Sequence, residues 1–248
     1  HTVHMRAGDV MVQQGTNHSW TNRGTETCRI AFVLIDGKPS ADGSLKGPGP
    51  TPAAAPPPPP EGVPAPQPPI RRIVTTHDEN GTAMVMNDGP ATNRKGSAER
   101  GNISTLIWSS DETPAEYWTA EDFGARLLGT QPTPMGSRFC VIDYPAGTPG
   151  RMHRTDSVDY ALCLAGQCDM ELDDGLTITM RAGDVMVQQA TNHSWINRGP
   201  GPCRIAFILI DGKPIPAAGI QGTGPLPLAP LNPLPADTEP VLPPIRRM

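Results

Sequence analysis

Along much of the chain apolar and polar residues alternate in short runs, the pattern of strands that bury one face and wet the other. Such runs occupy residues 73–76, 83–87, 105–109, 138–144, 158–164, 167–172, 176–180, 185–188, 194–197 and 204–211. Turn signals separate them: Asn80-Gly81, Asp88-Gly89-Pro90, Ala165-Gly166, Asp173-Asp174-Gly175 and Ala182-Gly183-Asp184. Glycine and asparagine at such points tolerate the left-handed backbone that tight turns require. Regular short strands with tight turns predict an all-β barrel or sandwich, not a parallel sheet. Only residues 113–128 read as helical.

Alternation stops in residues 47–69 and 214–244, where many of the 31 prolines and 26 glycines gather. Proline runs impose extended, weakly interacting backbone, so both stretches read as linkers. A repeat explains their placement. Met5-Arg-Ala-Gly-Asp-Val-Met-Val-Gln-Gln14 returns as Met180 to Gln189, an offset of 175 residues. The same offset carries His18 to His193 and Ile70-Arg71-Arg72 to Ile245-Arg246-Arg247. Residues 2–39 match residues 177–214 at all but eight positions.

The expected layout is therefore an incomplete barrel in 1–39, a Pro-rich linker in 40–69, a complete barrel in 70–214, and a second linker with the start of another repeat in 215–248. An incomplete barrel leaves strand edges and an apolar face open, which soluble proteins avoid by pairing or covering them. Residues 1–39 are thus expected to pair with another chain or with an upstream half, and a homodimer through sheet edges or strand exchange follows as the partner expectation.

Charge narrows the function. A net charge of −5 and a pI near 5.7 leave no sustained basic surface, which argues against nucleic acid as a partner. No run of about 18 apolar residues is present, so no membrane partner is expected. The five cysteines show no C-x-x-C spacing, which points to reduced thiols and a cytoplasmic setting.

The candidate chemistry lies in two of the strand runs. In an extended strand alternate residues share a face, so His153, Thr155, Ser157 and Asp159 point together. His193, with Trp195 and Asn197 at the same parity, lies on another run that a closed barrel brings opposite. Two imidazoles and a carboxylate then converge. Asp156 and Tyr160 fall off that face, His77 reads as a strand-end residue beside a hairpin turn, and His18 repeats His193 without an upstream partner. His1 and His4 suggest an accidental chain start rather than an amino-terminal copper clamp.

These residues resemble the two motifs of the cupin family. The first, a His-x-His followed by a Glu and then a Gly, is similar to His153-Arg154-Thr155, Asp159 and Gly166. The second, a Gly-Asp turn followed by Gly, His and Asn, is similar to Gly183-Asp184, Ala190, His193 and Asn197. Thr155 replaces the second His, and Asp159 is one methylene shorter than Glu. Met152-His-Arg-Thr-Asp-x-x-Asp-Tyr160 and Thr191-Asn-His-x-Trp195 further resemble a subgroup of small single-domain cupins.

The resemblance implies a jelly-roll barrel over residues 70–214 and a divalent transition metal, Fe, Mn, Zn or Cu, on His153, Asp159 and His193. Two histidines and one carboxylate leave open coordination positions, suited to oxygen activation with Fe or to Lewis-acid chemistry with Zn or Mn. The expected function is a metal-dependent enzyme for a small oxygen-rich organic substrate, with lyase or decarboxylase chemistry slightly ahead of oxygenation. Thr155, Gln188, Trp195 and Asn197 are the expected substrate-binding residues. The alternative is a noncatalytic binding or assembly module in which barrels on Pro-rich tethers gain avidity.

Overall fold

The structure, a computed structural model, describes residues 1–40, 43, 68–118 and 121–213. The linker and next-repeat readings at 44–67 and 214–248 lie outside the described residues. Strands are β1 (Val10–Val12), β2 (Arg71–His77), β3 (Ala83–Pro90), β4 (Arg94–Gly96), β5 (Ile103–Ser110) and β6 (Ser137–Tyr144). The remainder are β7 (Ser157–Ala165), β8 (Gln167–Glu171), β9 (Thr177–Arg181), β10 (Val185–Gln189), β11 (Ser194–Ile196) and β12 (Cys203–Asp211).

The strands build three sheets, ordered β10-β7-β12-β6-β5-β4, β11-β8-β9 and β1-β2-β3. All pairs are antiparallel except β1 with β2. β5 and β7 alternate as the sequence does, whereas β12, in the middle of its sheet, is buried on both faces over Cys203 to Leu209. In β7, for example, Ser157, Asp159, Ala161 and Cys163 are buried while Val158, Tyr160 and Leu162 are less so.

Alternation gives the six-stranded sheet two working faces. One face meets β8, β9 and β11 across a core of Cys140, Tyr144, Ala161, Cys163, Met170, Trp195, Ile205, Phe207 and Leu209, which is the barrel interior. The residues between them, Val141 and Ala206 with Leu162 and Leu164, pack on the other face against Val10, Ile70 and Ala91. The β1-β2-β3 sheet thus covers the back of the barrel wall.

The Ala165-Gly166 turn shows why glycine is required there. Gly166 has φ +73°, and a Cβ would sit 2.2 Å from Pro202 O. Buried bidentate ion pairs fix the outside: Arg204 with Asp143 at 2.6 and 3.0 Å, and Arg72 with Asp122 at 2.5 and 2.8 Å. All five cysteines are free thiols. Among the described residues no helix is long and apolar enough to cross a membrane.

One expectation needs correction. The described part of residues 113–128 is not helical. Pro114 supplies no backbone donor, and Asp122 turns the chain by accepting from Gly124 N at 2.9 Å while it pairs with Arg72. Phe123 stacks on Trp108 at 5.6 Å, so tertiary contacts claim the segment.

Part of residues 1–39 is paired within the chain. Val10, Met11 and Val12 lie parallel to Arg72, Ile73 and Val74 of the complete barrel. Lys38 N also donates to Ala115 O at 2.8 Å, and Ala115 N to Asp36 O at 2.7 Å. The face that would line a second barrel stays open, with Phe32 57 % and Leu34 87 % exposed.

Candidate functional site

β7 and the segment before it carry the first half of the site, and the turn between β10 and β11 carries the second. Ala190 adopts φ +48° and swings the chain so that His193 meets His153 as an isolated antiparallel bridge. Their backbones exchange two hydrogen bonds, 2.9 and 2.8 Å. The two imidazoles consequently lie with ring centroids 4.2 Å apart.

Both rings are oriented alike. His153 Nδ1 is 2.9 Å from Arg151 O, and His193 Nδ1 is 2.9 Å from Thr191 O. Only a protonated nitrogen can face a carbonyl oxygen, so each Nδ1 donates and each Nε2 keeps its lone pair. Metal-ligating histidines are characteristically held by such a bond on the second nitrogen. Burial lowers the pKa of both rings, and His193, beside His153, is pushed down to about 4. For His153 the nearby Arg100 and Arg151 guanidiniums add to the lowering.

Asp159 lies one hydrogen bond behind the imidazoles. Ser157 Oγ donates to its Oδ1 at 2.6 Å and, its one proton spent there, accepts from Thr155 Oγ1 at 2.8 Å. Gln188 Nε2 donates to Asp159 Oδ2 at 2.8 Å and to His193 Nε2 at 3.3 Å. Burial raises the Asp159 pKa to about 6, partly offset by the bonds from Ser157 and Gln188. Gln188 Oε1 is buried without a hydrogen-bond partner. Among the described residues no three His, Cys, Asp or Glu side chains stand close enough together to form a metal cluster. The Gln188 amide is what separates the carboxylate from the histidine pair.

Around these groups lies a cavity of about 130 Å³ lined by Tyr144, Thr155, Trp195, Phe207, Arg100 and Arg151 among others. Trp195 meets Phe207 edge to face at 5.3 Å, which forms an apolar floor. Thr155 and Trp195 therefore lie where the sequence reading puts them, and Gln188 acts on Asp159 and His193. Asn197 does not line the cavity. Its Nδ2 donates to Tyr144 O and Gly201 O at 2.8 and 2.9 Å, and its Oδ1 accepts from Gly199 N, so the side chain ties down backbone. His77 ends β2, and Asp156 pairs with Arg154 at 3.2 Å.

Sequence reading did not find Arg100, Arg151 or Tyr144. Arg151 stands two residues before His153, a parity that could have drawn attention to it. Arg100 lies in the loop before β5 and has no such signal. Neither guanidinium forms an ion pair with a described residue, so the cavity joins an apolar floor, two neutral imidazoles and two cationic groups.

No family model matches the chain. The chain is 33% identical over 148 residues to the cupin-domain-containing oxidoreductase fogC of Aspergillus ruber (strain CBS 135680), covering 57% of this chain and 72% of that protein. It is 31% identical over 157 residues to Phomopsin biosynthesis cluster protein C' of Diaporthe leptostromiformis, covering 60% and 82%. A crystal structure of an uncharacterized conserved protein with a double-stranded beta-helix domain from Klebsiella pneumoniae aligns with TM-score 0.33 at 14% identity, covering 45% and 78%. That structural likeness is too slight to carry an argument.

Proposed function

The chain belongs to the cupin superfamily, and from that premise we propose that it is a metal-dependent enzyme acting on a small organic carboxylate. The observation that carries the reading is the pair of imidazoles with Nε2 lone pairs directed away from their backbone bonds, beside a buried carboxylate that has no cationic partner among the described residues. A buried charge without a partner is costly, and a cation is what this donor set lacks. His153 and His193 would hold the metal through Nε2. Asp159 would complete the set, with the Gln188 amide turning aside or offering its unpartnered Oε1. The metal would supply open coordination positions for oxygen atoms of a substrate or for dioxygen.

The protein's own residues account for the rest. Arg100 and Arg151 would draw a carboxylate to the cavity mouth, as guanidiniums do through charge-assisted bonds. Tyr144, Trp195 and Phe207 would pack the carbon skeleton and exclude water. Ser157 holds the Asp159 carboxylate in place, and Thr155 offers a hydroxyl beside it. The similarity to fogC, named an oxidoreductase, favours redox chemistry over the lyase or decarboxylase expectation.

One preparation tests the reading. Elemental analysis of the native chain should give about one equivalent of a single transition metal per complete barrel, with less than a tenth of that in His153→Ala and His193→Ala. The same samples are then screened for dioxygen-dependent turnover of small carboxylates against their neutral amides. Absence of metal after reconstitution, or equal turnover in His193→Ala, would refute the assignment and leave a noncatalytic binding module.

A further inference from the structure

β1 and β10 are the same sequence at the repeat offset, and their edges are used differently. In β10 the even-numbered residues face β7: Cys163 N donates to Asp184 O at 3.0 Å, and Ala190 N donates to Ser157 O at 3.1 Å. Backbone groups alternate sides along a strand, so Val185, Val187 and Gln189 point to the opposite edge. β10 ends its sheet, and no strand pairs that edge among the described residues.

In β1 the equivalent edge is filled. Gln14 N donates to Thr75 Oγ1 at 3.1 Å, and Val10 lies opposite Arg72 on β2. Exposure follows. Val10 is 6 % exposed and its counterpart Val185 is 70 % exposed. Gln14 and Thr16 are buried, whereas Gln189 and Thr191 are exposed. Asp9 accepts from Arg71 at 2.7 Å, and its counterpart Asp184 makes no ion pair among the described residues.

An open edge bearing exposed valines is a template for a further strand. We infer that the occupant is this chain's own Ile245-Arg246-Arg247-Met248, docked on β10 as Ile70-Arg71-Arg72-Ile73 docks on β1. The sequence repeats with the offset, and the tether from Gln189 to Ile245 equals that from Gln14 to Ile70. Being part of the same chain, the segment meets the β10 edge as an intramolecular partner, which a second molecule does not. A second copy of the chain is a poorer occupant, because its β2 is already paired with its own β1. Translating the observed register puts Arg247 opposite Val185 and Met248 opposite Met186, with the Arg246 guanidinium on Asp184.

Amide hydrogen exchange on the full chain reads this directly. The amides of Val185, Val187 and Gln189 should exchange about tenfold faster in Arg246→Glu and in Arg247→Pro than in the native chain. Met186 and Gln188, bonded toward β7, serve as internal controls for an intact barrel. Asp184→Arg combined with Arg246→Glu should restore the protection. Equal exchange in native and variant chains would overturn the docking. Protection that grows with protein concentration would also overturn it, since it would give the edge to a second molecule.

Discussion

Residues 10–36 and 185–211 are nearly one polypeptide present twice, and the molecule buries opposite faces of it. In the second copy Trp195, Ile205, Phe207 and Leu209 are barrel core, 0 to 6 % exposed. In the first, Trp20, Ile30, Phe32 and Leu34 are 38 to 87 % exposed, while Val10, Gln14 and Thr16 are buried. Some geometry is nevertheless common to both. Arg6 N donates to Asp9 Oδ2 at 2.9 Å, and Arg181 N to Asp184 Oδ2 at 2.8 Å. His18 Nδ1 lies 2.8 Å from Thr16 O, matching the 2.9 Å of His193 and Thr191, and Gln13 touches His18 as Gln188 touches His193. The difference teaches where each property lives. Turns and the aim of the histidine are set within a few residues. Strand pairing and burial are set by the lobe that residues 103–171 provide.

The largest contrast should come from the aromatic core. Phe207→Ala should lower unfolding free energy by about 3–5 kcal/mol, as for other buried phenylalanines. Phe32→Ala, at a 57 % exposed position, should change it by no more than about 0.5 kcal/mol. Urea unfolding of the two variants measures both, and equal losses would mean that the first copy is covered in solution.

A smaller effect is expected with pH in the metal-free protein. Burial beside His153 pushes the folded His193 imidazole down to about 4, from the ordinary 6.5 of a free imidazole. The unfolded chain therefore binds a proton that the folded one refuses. The stability this group contributes is full above pH 6.5 and falls as pH drops toward 4, by roughly 3 kcal/mol. Asp159, raised from 3.8 to about 6, acts in the opposite sense, because the folded state keeps its proton and gains as pH falls from 6 to 4. Urea unfolding at pH 7 and pH 4.5 should show His193→Gln losing less stability on acidification than the native chain. An unchanged pH profile would mean that His193 is solvated.

The smallest effect separates the two strand edges. Val10→Ala should cost about 1–2 kcal/mol, the value of its buried methyl groups, and Val185→Ala, made in the Arg247→Pro chain whose β10 edge is left open, no more than about 0.5 kcal/mol. Thermal unfolding that shifts equally in both would erase the distinction between the covered and open edges.

Much of this was legible from the sequence because alternation reports burial on one face and glycine-rich turns report strand ends. All ten strand runs are present, and of the residues grouped by parity His153, Thr155 and Asp159 line the cavity while Ser157 bonds to the last two from behind. What escaped depended on partners distant in the chain. β4 is only Arg94–Gly96, too short and polar to signal itself, and it is a strand because β5 pairs with it. Residues 113–128 have helical letters, but Arg72 and Trp108 claim Asp122 and Phe123. Arg100 reaches the cavity from a loop whose path no local pattern specifies. Gln188 appeared as a substrate contact, and only the folded barrel reveals that its amide spans Asp159 and His193.

One of the eight differences between the copies sits where they are handled differently. Gly15 stands against the ring of Tyr117, and a Cβ there would be 3.0 Å from Cε2, whereas the matching residue in the second copy is Ala190. Both hold positive φ, so the backbone does not distinguish them. Their neighbours do. If genetic exchange copied the second lobe over the first, the added methyl would press on Tyr117 and loosen the grip of the half-lobe on its barrel. The reverse exchange would only relieve a left-handed alanine. Homogenisation of this repeat is therefore harder in one direction than in the other, because the first copy sets the Tyr117 ring against that position.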